Sequence, residues 1–347
     1  MEFGLTSFAE THLDPATGEA ISHGERLSDV LAEIELAEAV GLDVYGLGEH
    51  HRVDMAASAV AVVLGAAAAR TERIRLSSAV IILSSADPVR TYQDFATLDL
   101  ISRGRAELLV GRGSFIESFP LFGYSLSDYD ELFTEKLELL LRIRESERVT
   151  WSGKFRPPLD DQAIYPRAHQ QPLPVWIGVG GTPASVVRAG HLGLPVALAI
   201  IGGDPARFGT LVNLYRRSLQ EAGHDPSGFP LAVHALGHVA DDTKEAIEAI
   251  YPGFTETMNK IGRERGWPPL TREQFDWMAG PDGSLIVGDP ETVVTKVHRW
   301  CRMLGIERFL LHTSAGNLPH QATMHSIELF GNEVAPRVRS KMAGPNG

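Results

Sequence analysis

Short apolar runs alternate with helix-patterned segments eight times along this chain, and that alternation restricts the fold more than any other property of the sequence. Runs that read as strands cover Glu2–Phe8, Asp43–Gly48, Ile74–Leu83, Ala106–Val110, Val175–Val179, Leu194–Ile201, Leu231–Val239 and Arg308–His312. Arg26–Val40 places Leu27, Val30, Leu31, Ile34 and Ala37 at helical spacing, and Gly41 follows as a stop. Asp87 and Pro88 open another helix that runs to about Ile101. Each crossover returns the chain to the same end of the sheet, so a parallel sheet closed as a (β/α)8 TIM barrel is the expected fold. A doubly wound open sheet is the alternative.

Two stretches exceed the repeat. After the fourth strand come a charged helix, Tyr129–Glu145, and a Pro-rich span, Trp151–Leu173; after the seventh come a helix, Thr243–Ile261, and a polar insertion, Gly262–Gly283. Long loops in a compact domain are usually functional lids or disordered. The 347 residues fit one barrel domain spanning 1–347. A net charge of −12 and scattered arginines argue against a nucleic-acid partner. No apolar run reaches membrane-spanning length and the N-terminus lacks a signal-peptide pattern, so the cytoplasm is expected. The single cysteine, Cys301, excludes an intrachain disulfide, and its helical setting suits a packed thiol.

In a barrel, chemistry collects at the C-terminal ends of the strands. The fifth strand runs into Gly180-Gly181-Thr182-Pro183, where glycines allow close backbone approach and Thr182 and Pro183 suit a helix start. The helix's free N–H groups then favour a dianionic phosphate, with Ser185 adding a hydroxyl; a tight turn without a ligand fits the same residues. Arg112, between Gly111 and Gly113, suits an anion or a salt bridge to Glu117 or Asp128. Ser78 and Ala79 are small enough to leave room for a flat ring, or simply pack. In Glu49-His50-His51 the two imidazoles point opposite ways, so one faces the pocket as an acid/base or orienting group, or is buried against Glu49. His234 and His312 stand at other strand ends, but no metal-ligand spacing is present and no metal is expected. Phe8, Phe115, Trp267 and Trp277 suit either an apolar pocket or core and lid packing.

Together, MEFGLTSF at the start, GLGEHH at Gly46–His51, the block Ser77–Phe115, VWIGVGGTPASVVRAGHLGLP at Val175–Pro195 and the VGDPETVVTKVHRW and LGIERFLLHTSAGNLP segments resemble the luciferase-like flavin monooxygenase family. That resemblance implies a barrel with insertions after strands 4 and 7, usually dimeric, binding FMN or a deazaflavin at the strands' C-terminal ends. It implies that Ser78-Ala79 occupies the place of a non-proline cis peptide behind the isoalloxazine ring. Arg112 and Ser114 would approach the phosphate or ribityl chain, Val179, Gly180, Gly181, Thr182 and Ser185 would form the turn beside the phosphate, and His50 would face the ring's reactive edge. Luciferases carry a cysteine where this chain has Gly111, and the 262–283 insertion is unlike theirs, so light emission and long-chain aldehyde specificity are not implied. The implied activity is an FMN-dependent two-component monooxygenase, fed reduced FMN by a separate flavin reductase and acting with oxygen on a small organic substrate. Deazaflavin-dependent hydride transfer and a non-catalytic flavin-binding role are the alternatives.

Overall fold

Eight parallel strands form a closed ring in the computed structural model, which describes residues 1–13, 17–113, 115–314 and 318–344. In chain order they are β1 (Glu2–Ser7), β2 (Val44–Leu47), β3 (Arg75–Ser78), β4 (Ala106–Gly111), β5 (Val175–Val179), β6 (Val196–Ile200), β7 (Leu231–Val239) and β8 (Arg308–His312). Each pairs with its neighbour in sequence, and β8 pairs back onto β1 from Glu2↔Arg308 to Thr6↔His312. The expected barrel is therefore the fold, and its closure removes the unpaired edges an open sheet would have to protect.

Helices cover the outside. They are α1 (His23–Ala39), α2 (Val60–Ala68), α3 (Pro88–Ser102), α4 (Tyr129–Glu145), α5 (Pro183–His191), α6 (Gly209–Glu221), α7 (Thr243–Arg265), α8 (Arg272–Ala279), α9 (Pro290–Leu304), α10 (His320–Leu329) and α11 (Ala335–Met342). Their starts follow local chemistry: a Ser22–Glu25 capping box opens α1, and Asp87 accepts from Val89 and Arg90 N–H ahead of Pro88 in α3. Cys301 lies fully buried on α9, where desolvation pushes its thiol up to about 12, so it is a packed, inert side chain. Among the described residues no helix is long and apolar enough to cross a membrane.

Three sequence expectations need correction. The third apolar run is not one strand: β3 ends at Ser78, and pairing resumes at Ile81–Ile82, which joins β4. The Pro-rich span is not all loop: its Leu159–Ala163 pairs antiparallel with Arg148–Trp151, which leads into it. The polar insertion is largely helical, because α7 continues to Arg265 and a Thr271–Gln274 capping box starts α8. Lys296 ties this insertion to the barrel, its Nζ donating to Gly280 O at 2.5 Å and Leu285 O at 2.6 Å.

The barrel interior is layered from bottom to mouth. At the bottom, Arg308 donates to both Glu107 oxygens at 2.5 and 3.0 Å and lies over the Trp176 ring at 4.3 Å. Above it Leu109, Ala197, Ala232 and Leu310 surround a space too small for a ligand. Side chains alternate along a strand, so one step further up the inward positions are Gly111 on β4, Gly178 on β5, Ala199 on β6, His234 on β7 and His312 on β8. The mouth is thus built from near-absent side chains on one side and imidazoles on the other.

Candidate active site

The small-residue wall is kept open by steric necessity. A Cβ at Gly178 would sit 2.8 Å from Val80 Cγ1, and one at Gly111 would sit 2.9 Å from Val80 Cγ2. Val80 and Ala79 remain partly exposed although they lie inside the barrel, so they floor a hollow. The non-proline cis peptide is Ala79–Val80, one bond later than the resemblance implied. Ser78 is turned away from the hollow: its hydroxyl donates to Leu109 O at 2.8 Å and accepts from Leu109 N at 2.9 Å. It thereby replaces ladder bonds where β3 leaves β4, and Ala79 with Val80 takes the place expected of Ser78-Ala79.

Beside that wall lies the glycine turn. Gly180 and Gly181 are exposed with nothing within 4 Å of a would-be Cβ, and Gly181 has φ +117, which favours glycine. Thr182 and Pro183 do start α5, but the Thr182 side chain does not cap it. Its Oγ1 accepts instead from Arg112 Nη2 at 3.0 Å. Val179 ends β5 just before the turn, and Ser185 is buried in the first helical turn. Arg112 pairs with Asp130 at 2.5 Å, not with Glu117 or Asp128, because α4 lays Asp130 and Tyr129 alongside it. Arg188 adds a second cation nearby: burial, then the Arg112 charge, holds its pKa below the usual range. Two cations and uncapped helix N–H groups around an open turn form an anion cradle. Ser114 lies outside the described residues.

The opposite wall is aromatic. Phe8 packs against His50 and His312 with ring centroids at 4.6 and 4.3 Å, and Phe115 meets His50 edge-on at 4.9 Å. His50 and His51 do point apart: His51 Nε2 lies 2.8 Å from Glu49 Oε1, whose other oxygen accepts from Ile82 N–H. His50 faces the mouth with its Nδ1 buried and without a hydrogen-bond partner, 3.9 Å from Glu117 Oε1. Neither Glu117 oxygen makes a hydrogen bond, although Oε2 stands 3.9 Å from Arg52 Nη1 as Oε1 does from His50. Trp267 and Trp277 stand half-exposed in the insertion after β7.

The sequence reading missed one cluster. Glu10 Oε1 lies 3.0 Å from His312 Nε2, Thr6 Oγ1 lies 3.2 Å from His312 Nδ1, and Ser314 donates to the other Glu10 oxygen. Burial opposes ionisation of Glu10, yet His312 and Ser314 outweigh it and hold the carboxyl down to about 2. His234 stands next to His312 with centroids 5.2 Å apart and its Nε2 unpartnered; burial, then His312, push its pKa down to about 3.

A parallel barrel with a cation-flanked glycine turn, a small-residue hollow and an imidazole wall at its C-terminal mouth has the layout of a TIM-barrel enzyme. The chain belongs to the luciferase-like monooxygenase family, whose model matches residues 1–308. A luciferase-like monooxygenase of Escherichia coli (strain K12) is 25% identical over 339 residues, covering 94% of this chain and 95% of that one. The oxygenating constituent of 3,6-diketocamphane monooxygenase from Pseudomonas putida, solved with FMN, superposes with a TM-score of 0.76 at 20% identity, covering 97% and 98% of the two chains. An F420-dependent secondary alcohol dehydrogenase bound to an F420–acetone adduct gives 0.78 at 21% identity, covering 97% and 99%. At such identities the structural likeness establishes the fold, and the family establishes an enzyme among flavin- and F420-dependent monooxygenases and oxidoreductases.

Proposed function

We propose that this enzyme is an FMN-dependent monooxygenase acting with oxygen on a small organic substrate and receiving reduced FMN from a separate flavin reductase. One observation carries the proposal: an open anion cradle, with Arg112 3.0 Å from Thr182 Oγ1, adjoins a hollow floored by Ala79 and by Val80, which Gly111 and Gly178 leave room to seat. A phosphorylated planar ring needs that combination of charge at one end and flat clearance at the other. When bound, FMN supplies redox chemistry that no protein side chain offers. Arg112, Gly180, Gly181 and the α5 N-terminus hold its phosphate, while Ala79 and Val80 back the ring. His50, through its unpartnered Nδ1, orients the reacting groups or moves a proton there, and Phe8 and Phe115 exclude water around it. The absence of a dinucleotide fingerprint in the sequence agrees with reduction elsewhere. The proposal includes a cytoplasmic location and a homodimer, the dimer supported by Val62, Leu100 and Ile101, which α2 and α3 leave exposed where a second copy would cover them.

The test is titration of the full chain with FMN, riboflavin and F420, followed by oxygen uptake when reduced FMN is supplied. Preference for FMN over riboflavin and substrate-dependent oxygen uptake support the proposal. Binding of F420 alone, with hydride transfer and no oxygen uptake, overturns it in favour of deazaflavin chemistry.

A further inference from the structure

The aromatic wall contains a polar atom that nothing in the fold uses. His234 is 9% exposed, yet its Nε2 is buried without a partner. It stands at the same height as Gly111 and Gly178 across the mouth, and its register partner on β6 is the small and partly exposed Ala199. Phe8 stacks on it at 6.2 Å and 30°, and the edge of His312 meets it at 71°. His312 is itself clamped by Glu10 and Thr6, so the pair cannot readily reorient. An unmade hydrogen bond at a buried nitrogen is costly, and here the surrounding groups hold that nitrogen in place.

We propose that His234 Nε2 docks an uncharged carbonyl or hydroxyl oxygen of the substrate, opposite the ring-binding wall. The polarity follows from the neighbours. The imidazole is neutral at working pH and offers one hydrogen bond, and the Glu10 carboxylate on the far side of His312 repels an anionic group. The proposal rests on the mouth being the cofactor and substrate chamber.

The test follows histidine side-chain 15N signals of the full chain during titration with cyclohexanone and, separately, cyclohexanecarboxylate, with FMN affinity measured in parallel. The His234 signal is assigned by its loss in His234→Gln. Cyclohexanone is expected to shift it and the carboxylate to leave it unmoved. His234→Ala should weaken cyclohexanone binding about tenfold, the worth of one hydrogen bond, while His234→Gln, which still donates, recovers most of the loss. FMN affinity should not change in either variant. No cyclohexanone shift at His234, equal binding of the carboxylate, or unchanged ketone affinity in folded His234→Ala each overturns the proposal. If wild type binds no FMN but responds to cyclohexanone as described, the cofactor reading fails and the docking role of His234 is supported.

Discussion

Gly178→Ala tests the ring-binding wall without touching a polar group. The added methyl would lie 2.8 Å from Val80 Cγ1, while its next neighbours, Val110 O and Leu109 Cδ1, stand at 3.6 and 4.0 Å, ordinary contacts. One clash therefore has to be relieved, and Val80 can relieve it only by moving into the partly exposed hollow. Folding stability should fall little, by about 1 kcal/mol, since the side chain moves toward open space. A bound ring would meet the displaced isopropyl group, and overpacking of that kind costs about 1–3 kcal/mol, or roughly 5- to 150-fold in Kd. Gly111→Ala presses on the same Val80 from β4 at 2.9 Å and should act alike. Gly65→Ala, on α2 with nothing within 4 Å, is the control and should leave affinity unchanged. The assay is fluorescence titration with FMN alongside urea unfolding. A folded Gly178→Ala protein with wild-type FMN affinity would refute the placement of the ring against Val80.

Arg112→Ala should cost FMN about tenfold or more in affinity and leave riboflavin unaffected, because only FMN carries the phosphate; equal loss for both ligands would show a structural role instead. His50→Ala should keep FMN affinity yet lower turnover by about 10²–10⁴, measured as substrate-dependent oxygen uptake, and unaltered turnover would remove His50 from the chemistry. Buried neutral His234 and His238, held down to about 3 and about 4 by burial first, bind protons more weakly than the unfolded chain. Stability should therefore be full above about pH 6.5 and fall with acidification, by on the order of 3 kcal/mol per imidazole at pH 4; equal urea midpoints at pH 7.5 and 4.5 would contradict this. Lys296→Met should strand the carbonyls of Gly280 and Leu285 and destabilise the α8 insertion by about 3 kcal/mol, read as faster proteolysis there with FMN affinity retained.

The barrel was legible because strand runs and helix starts are local signals, as at Asp87-Pro88 and Thr182-Pro183. Arg112 and the Gly180–Thr182 turn were legible too, and the structure brings them within hydrogen-bonding distance. The bend after Ser78 was hidden, since an unbroken apolar run carries no mark of where pairing stops. Helix α8 was hidden by its polarity, although its Thr271–Gln274 box was there to find. Glu10 escaped because its partner His312 lies 302 residues away, and no periodicity reports a contact of that span. Asp130 was missed for the same reason on a smaller scale, 18 residues from Arg112.

Thr6, Phe8 and Glu10 belong to β1 and the loop after it, and His312 with Ser314 to β8 and its end, yet they interlock in one cluster. A polypeptide lacking β8 would contain the cradle residues and Val80, but neither the β8–β1 pairing that closes the ring nor a completed imidazole face. A chain split between α7 and β8 would therefore have to reassemble its two pieces before that face could form.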